Sequence, residues 1–207
     1  YDLHALARDG AIPEIPIVID SPLAVSATDV FAMHPEAFDR GEALVRAVRS
    51  VFHFPLVRYT RSVEESKALA REHGPMVIIA ASGMAESGRI LHHLANHAAD
   101  PRTTVLVVGF MAEHTLGRRI VERRHTIRVF GEAVPPPAQA EILNGYSAHA
   151  DRTELARWLG GVRAASPTLG AVWLVHGEPS AQDAFAERLR SDGYRASVPE
   201  PGERVTL

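Results

Sequence analysis

Short apolar runs alternate with longer amphipathic segments over the first part of the chain. Residues 15–19, 76–80 and 103–108 are rich in aliphatic side chains, which is typical of buried strands. A segment with helical spacing follows each run. This alternation predicts an α/β fold with a largely parallel, doubly wound sheet. The predicted helices cover residues 24–33, 35–49, 62–72, 86–97 and 115–124.

The alternation changes after His125. Residues 126–130 and 138–143 lie on either side of a run of prolines. Three consecutive prolines between them predict a turn or a boundary, because proline cannot continue a central strand. We therefore expect two domains, residues 1–125 and residues 126–207. The later predicted elements are a helix from Asp151, a strand at 169–175, a helix at 179–190 and a strand at 204–207.

The composition limits the kinds of site. The 207 residues include no cysteine, which excludes disulfides, thiolate metal ligands and a cysteine nucleophile, and we expect a cytoplasmic protein. The net charge of −3 means that any contact with nucleic acid must be local. No apolar run approaches the ~20 residues that cross a bilayer, so we expect no membrane partner. Because Tyr1 is not an initiator methionine, we expect the sequence to start inside a longer chain.

Residues 145–151 place a histidine just before a predicted helix. The glycine and small residues near His149 let a ligand come close, and free N–H groups at a helix N-terminus favour an anion. His149 can therefore contact a phosphate oxygen or act as a general acid. The alternative is a histidine without chemistry beside Asp151, which would then serve only as the helix N-cap.

A second histidine follows the strand predicted at residues 169–175. His176 is a candidate metal ligand, because a neutral imidazole is a common ligand at such positions. The alternative is a core histidine whose hydrogen bonds are satisfied within the protein. Glu178 can orient the imidazole, or it can be a polar residue before the helix that Pro179 begins.

Two loops between a predicted strand and a predicted helix carry glycine and arginine. Residues 81–89 can hold a phosphate with backbone N–H groups, although any strand-to-helix turn can require glycine. Residues 108–119 are locally basic and can contact a nucleic-acid backbone, or they can present a solvated helix face. On the intervening helix, His93 and His97 have chelating spacing, but we favour surface or packing roles for them.

Five motifs occur in order along nearly the whole chain. They are Asp20-Ser21-Pro22-Leu23-Ala24 with Thr28, Ala81-Ser82-Gly83-Met84 with Gly88-Arg89, Val108-Gly109-Phe110 with Thr115-Leu116-Gly117-Arg118, Ser147-Ala148-His149-Ala150-Asp151, and Leu174-Val175-His176-Gly177-Glu178. Together they closely resemble the β-CASP branch of the metallo-β-lactamase fold. That branch includes bacterial RNA-processing nucleases and the endonuclease of the eukaryotic pre-mRNA 3′-end cleavage complex.

The resemblance implies a fold and an activity. Residues 1–125 would form a mostly parallel, three-layer β-CASP domain that clamps RNA. Residues 126–207 would form the C-terminal α/β part of a metallo-β-lactamase fold, with its RNA-specificity segment. The full-length parent would be a metal-dependent ribonuclease that hydrolyses phosphodiester bonds with two Zn²⁺ ions.

The resemblance also implies roles for particular residues. His149 would contact the scissile phosphate and act as a catalytic general acid, and His176 would bind one of the two zinc ions. Asp151 and Glu178 would orient these two histidines without binding the metal or the phosphate themselves. The residues expected to bind RNA or its phosphates are Ser147, Ser82, Gly83, Arg89 and Arg118.

The sequence departs from the family in one respect. The family's His-x-His-x-Asp-His cluster lies before the inserted clamp, and no such segment is present. We therefore expect the chain alone to be inactive, to bind little or no zinc and to self-associate, while its parent could be homo-oligomeric. A non-catalytic RNA-binding or scaffolding module of the same fold is the alternative. A nucleotide-binding α/β domain ranks last, because its loop patterns are missing.

Overall fold

The structure is a computed structural model, and it describes residues 1–37, 52–147, 149–166 and 168–205. The chain divides into two compact units, Tyr1–Asn144 and Gly145–Leu207. Within the described ranges, no helix has the length and apolar character needed to cross a membrane.

The first sheet has three parallel strands. Strand β1 (Ile17–Asp20) lies in the middle and pairs with β2 (Val57–Tyr59) on one side and β3 (Val77–Ala80) on the other. The side chains of β1 are mostly buried, as expected of a central parallel strand. The helices that accompany this sheet are α1 (Asp2–Arg8), α2 (Pro22–Met33) and α3 (Val63–Leu69), and a 3₁₀ turn (Pro35–Ala37) follows α2.

The rest of the first unit contains two further strand pairs. Strands β4 (Thr104–Val107) and β7 (Gln139–Ile142) are parallel, whereas β5 (Ile127–Val129) and β6 (Glu132–Val134) form an antiparallel hairpin. An apolar core joins these elements to two helices. The helices are α4 (Arg89–His97) and α5 (Leu116–Val121), and the core members include Ala85, Leu94, Leu116, Ile120, Ile127 and Val129.

The second unit has its own core. A 3₁₀ turn (Asn144–Tyr146) leads into it, and it contains α6 (Arg152–Ala165) and α7 (Pro179–Ser191). A short parallel pair joins β8 (Val172–Trp173) to β9 (Ala196–Ser197). The buried residues of its core cluster are Leu159, Leu189 and Ala196.

The observed α/β architecture with mostly parallel pairing confirms the predicted fold class. The strand expected at residues 169–175 is shorter, because only Val172 and Trp173 pair with β9. Residues 204 and 205 of the predicted closing strand are not in a strand, and residues 206–207 lie outside the described residues. Most of the helix predicted at 35–49 also lies outside them. The domain boundary at residue 125 stays a prediction.

Candidate functional site

Asp20, the last residue of β1, is the centre of a buried polar cluster. Its carboxylate is fully buried and accepts hydrogen bonds from Ser66 Oγ (2.7 Å) and from the Thr60 hydroxyl. It also accepts from Arg89 Nη1 (2.7 Å) and is joined to His93 Nε2 (2.6 Å). Thr60 follows β2, Ser66 lies on α3, and Arg89 and His93 both lie on α4, so Asp20 ties the end of β1 to α3 and α4.

The electrostatics of this cluster favour a charged carboxylate. Burial alone would raise the pKa of Asp20, but hydrogen bonds from Thr60, Ser66, His93 and Arg89 outweigh burial and hold the pKa at about 2. Asp20 is therefore ionised at neutral pH, and its charge is compensated by the Arg89 guanidinium.

His93 and His97 lie one turn apart on α4, and their rings are nearly parallel with centroids 6.3 Å apart. His93 is buried, which agrees with the packing role favoured above. Burial and the nearby His93 both lower the pKa of His97. The atoms His93 Nδ1 and His97 Nε2 are buried without a hydrogen-bond partner among the described residues.

The loop from Ala81 to Gly88 is held mostly by its own backbone. Ser82 N donates to Ser87 O (3.1 Å), Ala85 N donates to Ser82 O (3.1 Å), and Ser87 N donates to Ser82 Oγ (3.3 Å). Ile90 N donates to Ala81 O (3.1 Å). These contacts leave Gly83 exposed near the tip of the loop. The loop can thus offer Gly83 to a ligand, while Ser82 mainly supports its shape.

The two predicted RNA-binding arginines are engaged in different ways. Besides Asp20, the Arg89 guanidinium donates to Thr60 O (3.3 Å) and Ser62 O (3.1 Å), and its side chain is only 15% exposed. Arg118 lies on α5 and pairs with Glu122 at 2.8 Å through a more exposed side chain. Arg89 therefore has a structural role in this fold, and contact of either arginine with RNA stays a prediction.

In the second unit, His149 lies just before α6. Asp151 is the N-cap of α6 and accepts hydrogen bonds from Thr153 N (2.7 Å) and Glu154 N (2.8 Å), while Glu154 completes the capping box. These backbone donors lower the pKa of Asp151. Ser147 Oγ accepts a hydrogen bond from His149 N (3.3 Å), and His149 is exposed. Asp151 has the capping role considered above.

His176 also lies two residues before the N-cap of a helix, because Glu178 caps α7. Its φ of 66° and the φ of 151° at Gly177 place both residues in the left-handed region, so the chain turns sharply after β8. The imidazole is exposed rather than part of a core. The Oε1 atom of Glu178 is buried without a hydrogen-bond partner among the described residues.

The described residues fit one part of a metal site. The exposed imidazole of His176 is a suitable nitrogen donor, and the buried carboxylate oxygen of Glu178 is available to a donor group. No group of three or more His, Cys, Asp or Glu side chains that could hold a metal ion occurs in the part of the chain that the structure describes. A complete zinc site thus needs ligands from beyond these residues.

Comparison with known proteins identifies the family. A model of the Beta-Casp domain matches residues 1–120, which is more than half of the chain. The chain belongs to the β-CASP family of metallo-β-lactamase-fold RNA nucleases. A second model, the Zn-dependent metallo-hydrolase RNA specificity domain, matches residues 135–199 and includes both His149 and His176. Zinc is therefore a cofactor of the family.

Curated relatives of this β-CASP chain include nucleases. The chain is 36% identical to ribonuclease TTHA0252 of Thermus thermophilus, over 99% of this chain and 46% of that protein. It is 29% identical to transcription termination factor FttA of Methanosarcina mazei, over 86% of the chain and 29% of that protein. It is 27% identical to endoribonuclease ysh1 of Schizosaccharomyces pombe, over 89% of this chain and 23% of that protein. The β-CASP chain thus spans less than half the length of these relatives.

Sequence reasoning placed both histidines but missed the partners of Asp20. Asp20 follows a buried strand and belongs to a motif, which was a usable signal. Its link to Thr60, Ser66 and His93 depends on contacts across 40 to 73 positions, which no local pattern encodes. Glu86, which contacts α5 from the loop before α4, was also missed.

Proposed function

We propose that the full-length protein is a zinc-dependent RNA-processing nuclease that hydrolyses phosphodiester bonds. The observation that supports this proposal best is the placement of His149 and His176. Both are exposed, and each lies two residues before a helix N-cap in a segment that matches a zinc-dependent RNA specificity domain. A catalytic imidazole and a metal-binding imidazole both require such accessible positions.

His149 is the proposed catalytic residue. Its imidazole donates a hydrogen bond to the scissile phosphate and delivers a proton to the departing oxygen. The N–H groups of Thr153 and Glu154 are already bonded to Asp151, so they cannot bind the phosphate. Side chains are proposed to hold the anion, and Ser147 beside His149 is the second proposed contact.

His176 is the proposed zinc ligand of this chain. The sharp turn at His176 and Gly177 directs the chain between β8 and α7 and keeps the imidazole accessible. Glu178 is proposed to support the site through its buried carboxylate oxygen. When bound, zinc activates water for attack and stabilises charge on the phosphate. The remaining ligands are proposed to come from the part of the parent that this chain does not span.

The first unit is proposed to supply the RNA-facing surface. Gly83 is exposed on the Ala81–Gly88 loop, and Arg118 lies on α5 beside Arg119. Ser82 supports the loop, and Arg89 holds its C-terminal end through Asp20. In this arrangement backbone N–H groups and arginine side chains bind RNA phosphates without base specificity.

Two substitutions in the full-length protein test the proposed function. We expect His149→Ala to lower RNA cleavage by about two to four orders of magnitude while zinc content is retained. We expect His176→Ala to lower both cleavage and zinc content. Gel assays with labelled RNA and metal analysis by mass spectrometry measure these effects. RNA binding without cleavage by the unmodified protein would instead favour a scaffolding module.

A further inference from the structure

The loop before α4 and the N-terminus of α5 are locked together by three adjacent residues of the loop. Met84 O accepts a hydrogen bond from Gly117 N (3.0 Å). Ala85 packs into the same buried cluster as Leu116. The Glu86 carboxylate accepts a hydrogen bond from Leu116 N. The two segments proposed above to face RNA thus form one connected surface.

The middle residue of this junction, Ala85, has an unusual backbone conformation. Ala85 has a φ of 57°, in the left-handed region that is unfavourable for a residue with a Cβ atom. Ala85 is buried, with only 6% of its surface exposed. Its packing in the cluster therefore compensates for the unfavourable conformation. Glu86 follows directly, and its carboxylate joins the loop to Leu116 N.

Glu86 also completes the N-terminus of α5. The first helical residues have N–H groups without partners inside the helix, and here each has one. Leu116 N donates to Glu86, Gly117 N donates to Met84 O, and Arg118 N donates to Thr115 Oγ1 (3.2 Å). The end of this helix is therefore closed to a phosphate, and its Leu116 N–H serves to attach the loop.

We propose that Glu86 is a positioning residue that holds the loop before α4 and the start of α5 in their RNA-binding arrangement. This inference rests on the proposed function. An exposed carboxylate on a surface that binds phosphates is unfavourable by charge alone. Its contact with Leu116 N supplies a reason for a side-chain oxygen acceptor at this position, and Glu86 acts through this contact rather than by touching RNA.

The test compares variants of the full-length protein in RNA cleavage and RNA binding. We expect Glu86→Ala to raise KM and the Kd for labelled RNA by about tenfold, with kcat changed less than twofold. Glu86→Gln keeps an oxygen that can accept the Leu116 N–H, so it should restore both values. Glu64→Ala is the matched control, because this substitution removes the same charge from α3 instead of from the loop before α4.

A second variant disrupts the junction without removing a charge. A Cβ atom at Gly117 would lie 3.0 Å from Met84 O and 2.3 Å from Met111 Sδ, so Gly117→Ala should separate the segments. We expect it to raise KM as Glu86→Ala does. Hydrogen exchange of the Leu116 amide measures the contact with Glu86 in the absence of RNA. The exchange rate should increase in Glu86→Ala.

Two outcomes would overturn the proposal. One is Glu86→Ala with the KM, Kd and Leu116 exchange rate of the unmodified protein. The other is Glu86→Gln as defective as Glu86→Ala, which would point to the charge rather than the contact. If the unmodified protein neither binds nor cleaves RNA while Leu116 exchange still accelerates in Glu86→Ala, the proposed function fails and the lock remains as a purely structural contact.

Discussion

At the scale of single residues, the buried carboxylate of Asp20 connects the end of β1 with α3 and α4. It is fully buried and is paired with Arg89 and His93. A buried charge is tolerated only when its hydrogen-bonding capacity is used, and Thr60 and Ser66 complete this requirement. The cluster could not be predicted from sequence, because its members are brought together only by the tertiary fold.

We predict that Asp20→Asn lowers the free energy of unfolding by about 3 kcal/mol, because it leaves the Arg89 guanidinium without its buried counter-charge. Urea unfolding followed by circular dichroism measures this loss. Glu72→Gln is the control, since Glu72 pairs with Arg58 at the surface and should cost less than about 1 kcal/mol. Equal losses in both variants would contradict the structural role of Asp20.

The same carboxylate predicts a pH dependence. The pKa of Asp20 is held at about 2, below the ordinary value of 3.8, so the folded state binds a proton less readily than the unfolded state. The contribution of Asp20 to the free energy of unfolding is therefore fully present above about pH 4 and is lost as the pH falls towards 2. Because this difference corresponds to about 2 kcal/mol, urea unfolding at several pH values should show a steeper acid loss than in Asp20→Asn. Parallel pH profiles of the free energy of unfolding in the unmodified protein and in Asp20→Asn would contradict this prediction.

At the scale of elements, the helix starts were the features most readily predicted. Asp151 and Glu154 form the capping box that their spacing predicts. Such a motif needs residues only three positions apart, so the sequence contains all of it. The strand β2 was not predicted, because Val57–Tyr59 is short and is stabilised by pairing with β1. Element length likewise depends on partners, as the two-residue β8 shows.

Two glycines should respond to alanine in opposite directions. Gly88 has a φ of 80°, and a Cβ atom there would lie 2.6 Å from Ala81 O, so Gly88→Ala should cost about 2 kcal/mol or more. Gly160 lies in α6 with nothing within 4 Å of the added Cβ atom, so Gly160→Ala should stabilise by about 0.5–1 kcal/mol. Thermal unfolding of both variants measures the contrast. Tolerance of Gly88→Ala would show that the turn can relax.

At the scale of the whole molecule, the chain spans less than half the length of its curated relatives, and large apolar side chains are exposed. Trp158 is 68% exposed and Val175 is 70% exposed. In the parent, we propose that such surfaces pack against segments that this chain does not include. The family motifs drew attention to the two histidines from sequence, and their place in a shared centre stays a prediction.

We predict that the isolated chain self-associates, because exposed apolar groups and open strand edges favour contacts between copies. Light scattering across a concentration series measures this behaviour. The full-length protein is the control and should show a lower tendency to aggregate. A monodisperse monomer of the isolated chain at all concentrations would contradict the prediction.

We also predict that the isolated chain does not cleave RNA, because its described residues supply one candidate zinc ligand rather than a complete set. Labelled RNA incubated with the chain and added zinc should remain intact. The full-length protein under the same conditions provides the positive control. Cleavage by the isolated chain that disappears in His149→Ala would show that this chain contains the whole active centre.

The most direct measurement of the central claim is a crystal structure of the full-length protein, with zinc located by its anomalous scattering. We predict a zinc ion about 2.0–2.1 Å from an imidazole nitrogen of His176, in a cleft that the imidazole of His149 also faces. Zinc bound elsewhere with His176 uncoordinated, or the two imidazoles on opposite surfaces, would contradict it.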